Sequence, residues 1–432
     1  MIENITLIFF IIILISSIVL KLPLALALFF NLILLIIYCL ISGKKLKDIF
    51  DFIYEGFKTC RLMLFIFILI GMITASWRSC GTISYIIYKA VNIISPKFFF
   101  AGIFLFNALV SMLTGTSFGT SSTAGVISMS LAIAMHMNPY IAGGAIISGC
   151  FIGDRTSPMS TAGLLVSTIT KTDFYTNIKN MIKTAIIPII LTIITFQIFN
   201  LQEIKSLQEV NLSGIRADFH FNIILVLPAI LIIIFSLFKL PLKYNMSISI
   251  FCAVLISYIY QKRSLLTIFK SLFLGYFNPL ADKSINGGGV VSMIQAILIV
   301  GISSGYFGIF KNTDLLKNIK IFVNKVYDRT SPLLVMEVLS VLIACFSTNQ
   351  TLSIMLTYEM SRDKFADREK LALNLSNSSV LSSMFIPWNI SGRIPVETIG
   401  APIGALYFSF FNIYAIIVNT IIDIFTYKKK AH

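Results

Sequence analysis

An acid and a base stand side by side in an otherwise small and apolar stretch, SGCFIGDRTSPMSTAG (148–163). The surrounding chain is 57% hydrophobic and 12% charged, and a charge at bilayer depth costs about 2.5–3.5 kcal/mol on insertion scales. Asp154 is therefore read as a cation site, with the hydroxyls of Ser157, Ser160 and Thr161 as further oxygens beside it. The plainer reading is an ion pair with Arg155 that only lets the helix break before Pro158.

A second cluster lies upstream, in GTSFGTSS (115–122). Its glycines allow a turn, and Thr116, Ser117 and Thr120 expose hydroxyls and carbonyls of the kind that hold hard cations such as Na+. Ser117 and Asp154 are taken together as Na+ ligands. The spelling Gly115-x-Ser117-x-Gly119 also matches a nucleophile elbow, which needs a preceding strand and a histidine base. Neither is visible, so a hydrolase is set aside; small-residue helix packing is the bland alternative. Further along, Ser347, Asn349, Ser376, Asn377 and Asn389 offer hydroxyls and amides able to bind a carboxylate or an amine. Where the first half has Asp154, the second has no acid and offers Asn389 and Ser391. Glu337 is open between a second acid within the membrane and a residue facing water or lipid headgroups. Arg393 and Glu397, at i and i+4, read as a structural pair.

The elements that must position these groups are apolar helices. With 37 Phe and 16 Tyr among 432 residues and a mean hydropathy of +0.89, a soluble enzyme and a disordered chain are both excluded. An all-α integral membrane protein follows, with the lipid bilayer as its partner. The excess of 34 Lys and Arg over 19 Asp and Glu belongs in cytoplasmic loops facing anionic lipid, not on nucleic acid. Six scattered cysteines and three histidines supply no zinc, haem or disulfide framework, so no cofactor is expected. Phe98, Phe99 and Phe100 read as lipid-facing.

The chain is also written twice. Lys21-Leu22-Pro23-Leu24 returns as Lys239-Leu240-Pro241-Leu242, and Ile49–Gly56 as Ile268–Gly275. After an insertion around Asn278–Gly288, Gly71 falls on Gly301, TGTSFGTS (114–121) on ACFSTNQT (344–351), and Pro158 on Pro387. Two homologous halves, 1–210 and 211–432, follow. Each reads as five transmembrane crossings plus one re-entrant hairpin and one broken helix. The first half has spans at 5–20, 22–42, 61–77 and 185–200, an interfacial segment at 44–58 and a polar-faced helix at 80–96. The second has spans at 221–238, 243–260, 290–309 and 403–425, with 262–277 and 312–328 as the matching segments. The hairpin tips are 115–122 and 347–351, and the broken helices are 148–163 and 384–400, interrupted at Pro158, Pro387 and Pro395. An odd number of crossings makes the two repeats inverted in topology. Residues 5–20 could pass for a signal peptide, but Glu3 stands where a basic region belongs and the repeat makes the segment structural. On this topology 22 Lys and Arg lie on the side of the N-terminus and 10 on the other, which places both termini in the cytoplasm.

These motifs resemble the NhaC-type Na+/H+ antiporter family, a group of ion transporters built from inverted repeats with re-entrant hairpins. The resemblance rests on GTSFGTSSTAG (115–125), GAIISGCFIGDRTSPMS (144–160) and Ile386-Pro387-Trp388-Asn389, and it covers nearly the whole chain. It implies a multi-pass, non-enzymatic carrier of the bacterial plasma membrane in which Asp154 holds Na+ and H+ alternately. Phe118, Arg155 and Met159 stand where members usually carry Trp, Lys and Leu. Thr161, Ser376 and Asn377 stand where members usually carry acids. The missing acids lead to the expectation of one-for-one exchange, or of no proton coupling. The alternative is a Na+-coupled carrier or exchanger of a small organic anion or amino acid. A homodimer is left open as the assembly.

Overall fold

A computed structural model describes residues 2–20, 22–91, 95–203, 219–238, 240–279, 285–315, 317, 330–347 and 349–431. The junction at 210/211, most of the expected helix 312–328, the tip residue Thr348, and Lys21, Lys205, Arg216, Lys239 and Lys283 lie outside the described residues. Among the described residues the regular elements are helical, and one isolated β-bridge joins Tyr276 to Gly287.

The chain opens with α1 (Ile2–Val19), α2 (Leu24–Ile41), α3 (Leu46–Ser79) and α4 (Thr82–Val91). A hairpin follows, from α5 (Phe99–Thr114) through the short α6 (Ser117–Thr120) and a π turn (Ser121–Gly125) into α7 (Val126–Ala134). Next come α8 (Pro139–Thr156), α9 (Thr161–Thr170) and α10 (Phe174–Glu203). The rest comprises α11 (Leu227–Leu237), α12 (Leu242–Leu255), α13 (Leu265–Leu274), α14 (Ile294–Asn312), α15 (Pro332–Ser347) and α16 (Gln350–Ser361). It ends with α17 (Arg368–Asn377), α18 (Ser379–Ser382), α19 (Ile390–Ile399) and α20 (Phe410–Ala431).

Seven helical stretches among the described residues are long and apolar enough to cross a bilayer. They are Leu24–Ile41, Cys60–Ser79, Pro96–Thr114, Phe174–Glu203, Leu242–Tyr260, Val290–Asn312 and Phe410–Tyr427. Their outer faces are apolar as well. On α10, Ile187, Ile190, Ile194, Ile198 and Leu201 form an exposed stripe, while Asn177, Met181, Ala185, Thr192, Phe196 and Asn200 are buried on the opposite side. In water such a stripe would be a liability; against lipid it is the required surface, and the chain is an all-α membrane protein.

Several local expectations are corrected. The interfacial segment 44–58 and the span 61–77 form one unbroken helix, the 34-residue α3, because no proline or glycine pair interrupts them. Its counterpart α13 is separate from α14, since Gly275, Gly287, Gly288 and Gly289 all take positive φ between them. Phe99 and Phe100 do not face lipid. Both are fully buried at the start of α5, where the Phe100 N–H donates to Asn200 Oδ1 at 2.9 Å, and Phe98 alone is exposed. Pro395 lies inside α19 and does not end it: the helix capped at Asn389 runs on to Ile399 despite the backbone hydrogen bond that the proline forfeits. The closing helix begins at Phe410, after a 3-10 segment (Ile403–Phe408). The hairpin arms are expected to be about 16 residues, too short to span; the first, with Pro96–Phe98 ahead of it, reaches 19, long enough to cross, while its counterpart α15 has 16.

A close seam joins α3 and α14, which run antiparallel. Phe52 meets Gly308, Gly56 meets Ser304, the Gly289 N–H donates to Gly71 O at 2.8 Å, and Lys311 reaches Glu55. At Gly308 only hydrogen fits, since a Cβ would lie 1.8 Å from the Phe52 carbonyl oxygen. Elsewhere α5 packs along α8, and α10 along α20.

Candidate functional site

Four helices begin at one place. Gly115 ends α5 in the left-handed conformation (φ 71), where a side chain would be strained and a Cβ would collide with Met159 at 2.5 Å. Thr116 then caps the next helix, its hydroxyl accepting from the Gly119 N–H at 3.0 Å. Asn349 does the same for α16, its side-chain oxygen accepting from the Leu352 N–H at 2.8 Å. The two caps share one backbone conformation, φ −143 and ψ 140 at Thr116 against φ −141 and ψ 153 at Asn349. Two residues past Pro158, Ser160 caps α9 by accepting from the Gly163 N–H at 2.8 Å; two residues past Pro387, Asn389 caps α19 by accepting from the Ser391 N–H at 3.1 Å.

These starts surround a cavity of about 520 Å³ whose polar lining includes Thr116, Asp154, Thr161, Asn349, Gln350 and Ser391. Apolar side chains of α3, Leu62, Ile66 and Phe67 among them, close another wall. Asp154 sits in the last turn of α8 and is 3% exposed. Its Oδ1 accepts from the Ser117 backbone N–H at 3.3 Å and its Oδ2 from Gln350 Nε2 at 3.0 Å, one donor from each tip. Gln350 spends the other amide hydrogen on the Val380 carbonyl at 2.9 Å, so it joins the carboxylate to α18.

The ion-pair reading of Asp154 and Arg155 does not hold. Consecutive residues on a helix point to different faces, and the fully buried Arg155 guanidinium donates from Nη2 to Thr184 Oγ1 at 2.5 Å and to Asn377 Oδ1. The basic member of the pair is thus held by neutral groups away from the cavity.

Of the residues singled out from the sequence, Thr116, Asp154, Thr161 and Asn349 line the cavity, and Ser117 reaches Asp154 through its amide rather than its hydroxyl. The others shape the site from behind. Thr120 donates to Thr116 O at 3.0 Å, Ser157 to Met112 O at 2.7 Å, Ser160 to the Asp154 carbonyl and Ser347 to Asn349 O at 3.2 Å. Ser376 bonds back to Ala372 O at 2.9 Å, Asn377 holds Arg155, and Asn389 donates to Ala344 O at 3.1 Å. Gln350 was missed. The signal available was its place in the second tip, where it is the side chain long enough to reach across. Glu337 does not face water or headgroups: it is 7% exposed, and neither carboxyl oxygen has a hydrogen-bond partner among the described residues. Arg393 and Glu397 do pair, at 2.7 Å.

Known proteins resemble the chain along most of its length. An uncharacterized Na+/H+ antiporter of Haemophilus influenzae is 26% identical over 381 residues, covering 83% of this chain and 81% of its own. The Na+/H+ antiporter NhaC of Alkalihalophilus pseudofirmus is 25% identical over 88% of this chain and 86% of its own. A malate-2H+/Na+-lactate antiporter of Bacillus subtilis is 24% identical over 87% and 83%. The sequence pattern of the Na+/H+ antiporter family matches residues 2–201 and again 149–426, and with a buried carboxylate at the meeting point of two tips and two helix breaks, the chain belongs to the Na+/H+ antiporter family.

Proposed function

We propose that the protein exchanges Na+ for H+ across a bacterial plasma membrane by loading Asp154 alternately from the two sides. The observation that carries this reading is a single buried carboxylate at a cavity, held by one donor from each tip. Without a cation, the Ser117 N–H and the Gln350 amide stabilise the anion. A sodium ion needs oxygen ligands, so those donors must give way to oxygens such as the Thr116 and Thr161 hydroxyls or the Gln350 carbonyl. A proton occupies the carboxylate with equal effect on its charge. One negative charge accommodates one of the two cations at a time, and that competition is what obliges exchange.

The architecture we propose is two inverted repeats, 1–210 and 211–432, each with a re-entrant hairpin. It is supported by α3 and α14, the third spans of the two repeats, which lie antiparallel in contact as an axis in the membrane plane requires. The matched caps at Thr116 and Asn349, and at Ser160 and Asn389, point the same way. With loop charge of 22 against 10, both termini are assigned to the cytoplasm.

A second reading has a specific observation behind it. The cavity of about 520 Å³ exceeds what a bare ion needs, and four helix N-termini, each the positive end of a helix dipole, face it. That field suits a small organic anion travelling with Na+. Purified protein in proteoliposomes separates the two. Na+/H+ flux with no organic solute, lost in Asp154→Asn, supports exchange of the cations alone. Flux that begins only when a carboxylate such as malate or lactate is added favours the second reading.

A further inference from the structure

We infer that Glu337 is a second proton-binding site, separate from the Asp154 cavity. The residue sits mid-way along α15, is 7% exposed and does not line the cavity. Neither Oε1 nor Oε2 receives a hydrogen bond among the described residues. The nearby Ser382 hydroxyl supplies none, since its hydrogen is directed to the Ser378 carbonyl at 2.7 Å.

Nor does a neighbouring charge among the described residues compensate it. Elements packed on α15 include α1, α14, α16, α17, α18 and α20. Lys311 on α14 is turned to Glu55, Glu359 on α16 to Arg362, and Lys370 on α17 to Asp423 on α20. Asp423 also accepts from Ser331 Oγ and the Leu333 N–H at the start of α15. Tyr306 on α14 donates to Leu28 O, and Tyr414 on α20 bonds to Thr195. Arg368 on α17 makes no ion pair with Glu337, Glu3 on α1 and Glu369 on α17 carry its own sign, the side chains of 428–430 on α20 lie outside the described residues, and α18 carries no ionisable side chain.

An ionised carboxylate in such surroundings is left uncompensated, at a cost of several kcal/mol. It must carry a cation in this conformation. Sodium requires several converging oxygens, whereas a proton needs only the carboxyl itself. Among the described residues, other buried polar atoms without a partner lie on α15 and on helices packed against it: Ser340 Oγ, one turn along α15, Thr357 Oγ1 on α16 and Asn374 Nδ2 on α17.

α18 is linked to both acids, to Asp154 through Gln350, which donates to Val380 O, and to Glu337 through Ser382 beside it. Two carboxyls in contrasting surroundings, Asp154 held by two donors and Glu337 beside one hydroxyl that also donates to a backbone carbonyl, are the pattern that divides roles between acids. For transport the inference rests on the antiport reading: a second titrating acid permits more than one proton per Na+, which the sequence alone argued against.

The test is infrared difference spectroscopy of the purified protein at neutral pH, in H2O and D2O. Wild type should show the C=O stretch of a protonated carboxylic acid at the high frequency of a carbonyl without a donor. The band should persist in Asp154→Asn, vanish in Glu337→Gln and shift in Glu337→Asp; the Asp variant decides the matter even if the Gln variant fails to fold. A wild-type spectrum without the band, or a band unchanged in both Glu337 variants, overturns the inference. In proteoliposomes, wild-type exchange should follow membrane potential, and Glu337→Gln should abolish that dependence. Absence of Na+/H+ flux in wild type would defeat the antiport reading and leave the infrared result to judge Glu337 by itself.

Discussion

The side chains of Asp154 and Arg155, adjacent in sequence, leave α8 in different directions, the carboxylate toward the cavity and the guanidinium toward Thr184 and Asn377. Had they paired, a cation arriving at Asp154 would have to displace a fixed positive charge. Held apart, the anion accepts from an amide N–H and a carboxamide, both of which an ion can replace.

Asp154→Asn should therefore leave a folded protein and no Na+-dependent flux. The amide is nearly isosteric and Arg155 keeps its own partners. Size-exclusion profiles and proteoliposome transport measured together are the check. Aggregation alongside lost flux would point to a structural role, and wild-type flux would remove Asp154 from the mechanism.

Gln350→Leu removes a hydrogen bond from the cation-free carboxylate, worth about 1.5–3 kcal/mol for a charged acceptor. Losing it destabilises the empty state relative to the loaded one. Half-saturating Na+ should fall by roughly 10- to 100-fold while maximal turnover also falls, because release is slowed. Weaker Na+ binding would instead identify the Gln350 carbonyl oxygen as a Na+ ligand.

The Lys311–Glu55 pair at one end of the seam predicts a pH effect. Lys311 and then Asn312 hold the Glu55 carboxyl below its ordinary range. A lowered folded value means that the contribution is fully present above the unfolded carboxylate range and is lost as pH falls through the folded one. Both side chains are about half exposed, at 52% and 40%, so the effect should stay below ~1 kcal/mol and shrink with salt. Thermal unfolding of Lys311→Ala against wild type, near neutral pH and in acid, should show a gap that closes in acid.

Lys89 on α4 and Lys311 at the end of α14 are both exposed. In the inverted arrangement they face opposite sides of the membrane. Cysteines placed at these positions should label from opposite sides of intact cells, with Lys311 on the cytoplasmic one. Reactivity of both from one side would end the inverted-repeat proposal.

Much of this was legible in the sequence, and the parts that were not share a cause. The helix breaks at Pro158 and Pro387 and the tips at Thr116 and Asn349 are written in local chemistry, in residues that cannot continue a helix or that cap one. The burial of Glu337, the direction of Arg155 and the reach of Gln350 depend on which faces of distant helices meet. Phe99 and Phe100 failed for that reason too: a phenylalanine run has the same hydropathy whether lipid or α10 covers it. The joining of 44–58 to 61–77 is hidden for another reason: a change from charged to apolar composition marks where a helix enters the membrane, not where it ends.

The glycine notch between α3 and α14 limits how the protein can move. With Gly308 resting on the Phe52 carbonyl and the Gly289 N–H tied to Gly71, backbone is lodged against backbone at both ends of the seam. Sliding one helix along the other by a turn would drive side chains into that contact. Rolling about their common line keeps it intact. The seam is thus suited to be an axle, and a cavity with Leu62, Ile66 and Phe67 of α3 in its wall would turn toward one membrane face or the other as the flanking helices rock around it.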